Sequence, residues 1–332
     1  MYRVVSKIQK AQSIILSTHT QPDGDGLGAQ MALYRALAQT KKELRIVNVD
    51  ASPSKYSFLN PDNVVETIIK PKKLIRSDIA LIFDTNDPDL LPSLYDELKS
   101  NCGTVIFVDH HPILDRHPLI AGDHYIDVAS SSTGQMVFEL IKALGLKFDD
   151  QIAQALYTAI IFDTNFFRYI RGSPKPHLIA AELLEFNIEP EIVHRHLFGN
   201  HTPTKLKFLS QVLGHIEFEC DGKLACIPIK KSEIEKLGLE IDDARDVIDM
   251  VMNVKTIEAA VLIREDGPKN HKLSFRSKGV YSVGALAQSL GGGGHKFASG
   301  AYMNANYSTI KARVLEEFSK LFLVKEKIAV AR

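Results

Sequence analysis

In the first half of the chain, short runs of β-branched and aliphatic residues alternate with longer stretches whose apolar positions recur at helical spacing. Ser13–Ser17, Arg45–Val49, Ile79–Phe83 and Thr104–Val108 read as strands. Gly28–Gln39 and Gly134–Leu144 read as amphipathic helices, and Asp150–Phe162 as a buried one. This alternation predicts a mainly parallel sheet flanked by helices. Beyond residue 187 the pattern changes. Ile188–Gly199 and Pro203–Gly214 predict helices between two lobes. Strands then recur at Leu224–Ile229, Ala259–Arg264 and Lys272–Ser277, with helices at Asp242–Asn253 and Val283–Leu290. The expected architecture is α/β, with a first domain over 1–187, a helical linker over 188–214 and a smaller α/β domain over 215–332. There is no internal repeat and no low-complexity tract.

Composition narrows the classes. With 332 residues, 45% apolar and 24% charged, the chain has ample material for real cores and is not intrinsically disordered. Lys+Arg and Asp+Glu balance at 40 each, which disfavours long nucleic acid as a non-specific ligand. Cys102, Cys220 and Cys226 form no CxxC pair, so a disulfide framework and a cysteine zinc site are not expected. No apolar run reaches the length of a signal-peptide core or a membrane span. The expectation is a soluble cytoplasmic protein that does not engage membranes.

Polar chemistry gathers where the predicted strands end, which is where parallel α/β sheets place their active sites. After the first strand comes His19-Thr20-Gln21-Pro22-Asp23-Gly24-Asp25. One imidazole and two carboxylates on a bent loop suit a divalent cation, although a Pro-Asp-Gly turn with solvated acids has the same local pattern. Asp84 ends the third strand, where it could also cap the next element. Asp109-His110-His111 ends the fourth; one imidazole can ligate metal while the other faces substrate, with Asp109 orienting an imidazole. Asp163 ends an apolar helix, where an acid conflicts with the helix dipole and a cation would relieve that conflict. His19, Asp23, Asp25, Asp84, His110 and Asp163 form an oxygen-rich donor set with a nitrogen minority. It suits Mn²⁺ better than zinc, and two ions better than one. In the second lobe, Gly291-Gly292-Gly293-Gly294-His295 reads as bare backbone that can cradle a phosphate, against the plainer reading of a helix stop. Arg264 and Arg276 could offer fork-shaped donors to phosphate, although either alone could be a solvated surface residue.

The ordered set His19-x-x-Pro22-Asp23-x-Asp25, Asp84, Asp109-His110-His111 and Asp163 resembles the DHH phosphoesterase superfamily. Gly291–His295, with Ser274-Phe275-Arg276-Ser277 upstream, is similar to the DHH-associated domain that follows it. The two-lobe layout looks most like the NrnA-type nano-RNases, small oligoribonucleases that can also dephosphorylate 3′-phosphoadenosine 5′-phosphate. The resemblance implies a phosphodiesterase with two Mn²⁺, or Mg²⁺ in their place, acting on very short RNA. It implies that His19, Asp23 and Asp84 hold one ion, and that Asp25, Asp84, His110 and Asp163 hold the other. His111, supported by Asp109, would contact the scissile phosphate. Arg264, Ser274, Arg276, Gly291, Gly292, Gly293, Gly294 and His295 would bind substrate in the second lobe, across a cleft from the first. The implied partners are short RNA oligonucleotides and nucleotides, and a homodimer is compatible with the resemblance.

Three positions depart from the family pattern: Ala29, Asn165, and the stretch Arg171-Gly172-Ser173-Pro174, which replaces one rich in Asn and Thr. Rival readings are a cyclic or linear dinucleotide phosphodiesterase, a RecJ-like exonuclease and a family II pyrophosphatase. A nucleotide- or RNA-binding protein that merely retains the fold is the alternative outside catalysis. The glycine run speaks against the pyrophosphatase, and the chain length against RecJ.

Overall fold

Six strands of the first half lie side by side, all parallel: β1 (Ser13–Thr18), β2 (Glu43–Asn48), β3 (Val65–Thr67), β4 (Ser77–Phe83), β5 (Cys102–Asp109) and β6 (Tyr125–Ile126). Their order is β3-β2-β1-β4-β5-β6. The computed structural model from which they are described covers residues 1–68, 76–113, 122–199, 201–244 and 246–330. Along β1, β4 and β5 successive side chains enter opposite cores. Leu16, Leu81, Phe83, Ile106 and Val108 pack under one set of helices, and Ile15, Ala80, Ile82 and Phe107 under another. Both faces are therefore buried, and this is why these strands read as unbroken apolar runs.

The helices of this part are α1 (Tyr2–Lys10), α2 (Gly24–Ala38), α3 (Leu94–Asn101), α4 (Thr133–Leu144), α5 (Asp150–Thr164), α6 (Lys175–Leu183) and α7 (Pro190–Phe198). Helices α2, α4 and α5 share one core with α1, while Leu94 and Leu98 of α3 close the other. Helix α2 begins earlier than its apolar periodicity suggests, because the Asp23 carboxylate accepts from the amides of Asp25 and Gly26 and starts the helix there. Helix α4 is started by Ser132 and stopped by Gly145 in left-handed conformation. The three helices approach closely. A Cβ on Gly134 would lie 2.4 Å from that of Ala159, and one on Gly28 would lie 2.5 Å from the Ala155 carbonyl oxygen. Glycine at these points lets α4 and α2 carry polar groups against α5.

The chain divides into two compact units, 1–200 and 201–332. The helical stretch expected to link two lobes is shared between them. Val193 and Leu197 of α7 are buried in the first unit's core, while Phe208, Leu209 and Val212 of α8 (Pro203–Gly214) are buried in the second's. Apolar faces on both helices fix each to a different core.

In the second unit a mixed sheet has the order β11-β12-β10-β9-β8-β7. Its strands are β7 (Glu217–Glu219), β8 (Leu224–Ile229), β9 (Ala259–Gly267), β10 (Asn270–Ser277), β11 (Gly293–Gly294) and β12 (Ala298–Asn304). Its remaining helices are α9 (Lys231–Lys236), α10 (Asp246–Met252), α11 (Val283–Ser289) and α12 (Tyr307–Val330). The single helix expected over Asp242–Asn253 is instead a 3-10 turn, Ile241–Ala244, followed by the shorter α10. Among the described residues no helix is long and apolar enough to cross a membrane.

Candidate active site

The sheet of the first unit reverses its winding at β1. Strands β2 and β3 extend to one side, while β4, β5 and β6 follow on the other. At such a switch point the connections leave in opposite directions and open a crevice beyond the carboxyl ends of the strands. The register brings those ends level, with Thr18 opposite Phe83 and Phe83 opposite Val108. The next residues in each strand or loop are His19, Asp84 and Asp109-His110.

The six expected ligands converge there. His19 Nε2 lies 3.5 Å from Asp84 Oδ2 and 4.0 Å from Asp23 Oδ1. His110 Nε2 is fully buried, 3.7 Å from Asp25, 3.5 Å from Asp84 Oδ1 and 3.4 Å from Asp163. These spacings are wider than good hydrogen bonds and match donors arranged around a common centre. His19, Asp23 and Asp84 form one group that could hold a metal ion, and Asp25, His110 and Asp163 another. Asp84 turns one oxygen to each group and adopts a left-handed backbone, φ 62°. Such strain persists where surrounding structure over-determines it, and it gathers at functional sites.

Around this cluster, fixed donors orient the acids. Asp25 accepts from the amides of Thr133 at 2.7 Å and Gly134 at 2.8 Å, the first turn of α4. Thr133 Oγ1 donates to Asp84 at 3.0 Å. His19 Nδ1 lies 2.7 Å from the Thr20 carbonyl, which leaves Nε2 turned to the acids. Thr20 Oγ1 donates to Asp50, which also accepts from the Gln21 amide at 2.7 Å. Burial, and then Asp84 and Asp163, push the Asp25 carboxyl well above its ordinary range. Burial acts on Asp84 in the same sense, but the His110, His19 and His111 rings outweigh it and hold that carboxyl well below its ordinary range. Burial also raises Asp163. Several carboxylates brought together out of water in this way are a site for positive charge.

His111 borders this arrangement, its Nδ1 3.7 Å from Asp84 Oδ1, and Asp84, Asp109, His110 and His111 form a further group that could hold an ion. The same His111 nitrogen lies 2.8 Å from Asp109 Oδ1, and the His111 amide donates to that oxygen at 3.1 Å. Asn86 completes the unit, donating to Asp109 Oδ2 at 2.6 Å and to the His111 carbonyl at 2.9 Å. Burial disfavours charge on the His111 ring, but Asp109 prevails and raises its pKa to about 10. Sequence reasoning missed Thr133, Asn86 and Asp50. The Ser132-Thr133-Gly134 helix start and the polar run Thr85-Asn86-Asp87 were their visible traces. Replacing Asn86 by Ala should leave cation binding intact and lower turnover roughly 10- to 100-fold, the usual range for a group that orients an active residue. Calorimetric metal stoichiometry measured beside steady-state kinetics on the same preparation checks this.

In the second unit the glycine run and Arg264 both make contacts within the protein. Gly291 and Gly292 donate to the Gln288 and Ala287 carbonyls and close α11, while Gly293 and Gly294 pair with Gly300 and Ser299 of β12. Glycine is required there by the protein's own backbone: a Cβ on Gly292 would lie 2.0 Å from the Gly300 oxygen, and Gly294 has φ +129°. The His295 amide is likewise taken, by the Ala298 carbonyl. Arg264 is 7% exposed and chelates Asp266, Nε to Oδ1 at 2.6 Å and Nη2 to Oδ2 at 3.0 Å. Ser274 and Arg276 alternate with the buried Leu273 and Phe275 and so lie on the other face of β10, half-buried, with Arg276 Nε 3.5 Å from Asp249.

Two acid–imidazole groups thus meet beyond the strand ends at the switch point, and the chain belongs to the DHH family of phosphoesterases, which are hydrolases. Residues 13–160 match the DHH family N-terminal domain, and residues 226–323 match the DHHA1 domain. The bifunctional oligoribonuclease and PAP phosphatase NrnA of Thermus thermophilus is 30% identical, covering 96% of this chain and 94% of that one. The Bacillus subtilis protein of the same name is 28% identical over 90% of this chain and 91% of its own. A crystal structure of an exopolyphosphatase-related protein from Bacteroides fragilis superposes with a TM-score of 0.83 at 23% identity, covering 100% of this chain and 97% of that one, and so shares the fold.

Proposed function

We propose that this phosphoesterase degrades short oligoribonucleotides, about two to five nucleotides long, to mononucleotides and also removes phosphate from 3′-phosphoadenosine 5′-phosphate. The observation that carries the reading is the Asp84 carboxylate, shared between two donor groups that each combine carboxylates with one imidazole. His19, Asp23 and Asp84 would hold one cation, and Asp25, Asp84, His110 and Asp163 a second. The oxygen-rich set fits Mn²⁺, with Mg²⁺ as substitute. When bound, such ions supply Lewis acidity toward phosphoryl oxygens and an acidified water at neutral pH.

The chain's own residues do the rest. Thr133 and Gly134 hold Asp25 in place from the start of α4, and Thr133 steadies Asp84. Asp109 and Asn86 hold His111 as a fixed cationic donor, suited to charge that develops on a phosphoryl oxygen. Ser274, Arg276 and His295 are assigned to substrate in the second unit. Arg264, Gly291, Gly292, Gly293 and Gly294 belong to the same assignment, with Arg264 paired to Asp266 and the Gly291 and Gly292 amides bonded to the end of α11. The chain would work in the cytoplasm, and a homodimer is compatible with it.

Substrate length provides the test. With 40 basic and 40 acidic residues the chain has no excess charge to hold an extended strand, so each further phosphate adds little affinity. Diribonucleotides to tetraribonucleotides should be hydrolysed at least about tenfold faster than a 24-mer at equal strand concentration with Mn²⁺ present. Equal rates in gel or chromatographic assays would replace this reading with a processive exonuclease.

A further inference from the structure

The loop between β1 and α2, His19 to Asp23, supplies two members of one donor group from its two ends. How that loop is fastened decides where both stand. Gln21 at its middle is left-handed, φ 52°. The fastening comes from the end of β2. Asn48, the last residue of that strand, is fully buried, and its Oδ1 accepts from the Thr18 amide at 3.3 Å. Gln30 of α2 exchanges two hydrogen bonds with the same Asn48 side chain, at 2.8 and 3.1 Å. Two residues on, Asp50 Oδ2 accepts from both the Thr20 hydroxyl and the Gln21 amide, the latter at 2.7 Å. From the other side, the Thr20 amide donates to the Leu90 carbonyl at 2.7 Å.

Thr20 is the residue against which the His19 ring rests, its carbonyl 2.7 Å from Nδ1. A shift of that carbonyl would turn the ring and carry Nε2 away from Asp84 at 3.5 Å and Asp23 at 4.0 Å. Two donors on one oxygen call for a full negative charge, because hydrogen bonds to an ionised acceptor are the stronger ones. Asp50 is half-buried, yet it belongs to none of the acid–imidazole groups found among the described residues. Its carboxylate is spent on the loop. The other donor group is fastened differently. Asp25 is held by the Thr133 and Gly134 amides, His110 follows β5, and Asp163 lies on α5.

We propose that Asp50 is a positioning residue for one cation only: through Thr20 and Gln21 it sets where His19 Nε2 stands, and the group of Asp25, His110 and Asp163 does not depend on it. The inference rests on the two-cation reading above and adds to it a residue that neither group contains.

Calorimetric titration of the full chain with Mn²⁺ tests it, comparing Asp50→Ala, Asp50→Asn and Thr20→Val with wild type. His19→Ala, titrated beside them, marks which binding event belongs to the His19 group. Asp50→Ala should weaken that event about tenfold or more and leave the other within about twofold. Thr20→Val keeps the Asp50 charge and the shape of the side chain. It should reproduce much of the loss, and combining it with Asp50→Ala should cost little more, as coupled residues do. Asparagine, with a weaker acceptor oxygen, should fall between alanine and wild type. Both events weakened alike would overturn the proposal and leave Asp50 a general support of the fold. Thr20→Val binding like wild type, with Asn and Ala equally impaired, would overturn it too, because Asp50 would then act by charge alone. Histidine ring NMR of the metal-free chain gives a readout that needs no cation. Asp50→Ala should move the His19 resonances and leave those of His110 in place, and unmoved His19 signals would overturn the proposal. If wild type takes up a single Mn²⁺, the two-cation reading fails, while the NMR result still decides the role of Asp50.

Discussion

Asp84→Asn should cost the protein both cations together. The two oxygens of Asp84 face different imidazoles, His19 Nε2 and His110 Nε2, each at 3.5 Å. An amide keeps one weakly donating oxygen and carries no charge, so neither group retains its shared ligand. Asparagine is the informative replacement because the backbone at this point is left-handed, φ 62°, a conformation asparagine adopts readily and alanine does not. The fold should survive, and Thr133 Oγ1 keeps an acceptor at this position. Cations that stabilise transferring phosphoryl charge supply several kcal/mol, so kcat/KM should fall by roughly 10³ or more. Elemental analysis and calorimetry should find both ions lost. Activity within about tenfold of wild type, with metal content unchanged, would show that Asp84 does not bridge.

His111→Ala should give the opposite pattern, with metal retained and turnover lost. The ring is tied through Nδ1 to Asp109, which is itself held by Asn86, and this pairing favours the charged imidazole. His110, by contrast, is fully buried with Nε2 among three acids. A fixed donor that acts on the transition state contributes about 10²- to 10⁴-fold, so kcat should drop by that order with little change in KM. Should His111→Ala strip an ion instead, the two histidines exchange roles.

The strands that carry the site were legible because both faces of their sheet are buried, and continuous apolar runs betray that. Their ends were legible for the same reason: Thr18-His19, Phe83-Asp84 and Val108-Asp109 are abrupt changes in polarity. Strands β3 and β6 were not, being only 3 and 2 residues long and held mainly by the neighbours they pair with. The orienting groups escaped because they come from far along the chain. Thr133 reaches back to Asp25 and Asp84, and Asn86 across to Asp109. No local spacing records such a meeting. The packing of the glycine run was hidden for a related reason. Bare backbone signals close approach, yet the approaching partner proved to be β12 of the same sheet. The pairing of Arg264 with Asp266, two residues on along the same strand, was likewise not marked by any motif.

The order of the strands bears on how the centre comes into being on a ribosome. A growing chain delivers its earliest segments first. His19, Asp23 and Asp84 have all emerged once β4 can join β1. Asp25 must wait for His110, and then for Asp163 at the far end of α5. The two donor groups are thus completed one after the other, with Asp84 the last member of the first to be made and already in place when Asp163 completes the second.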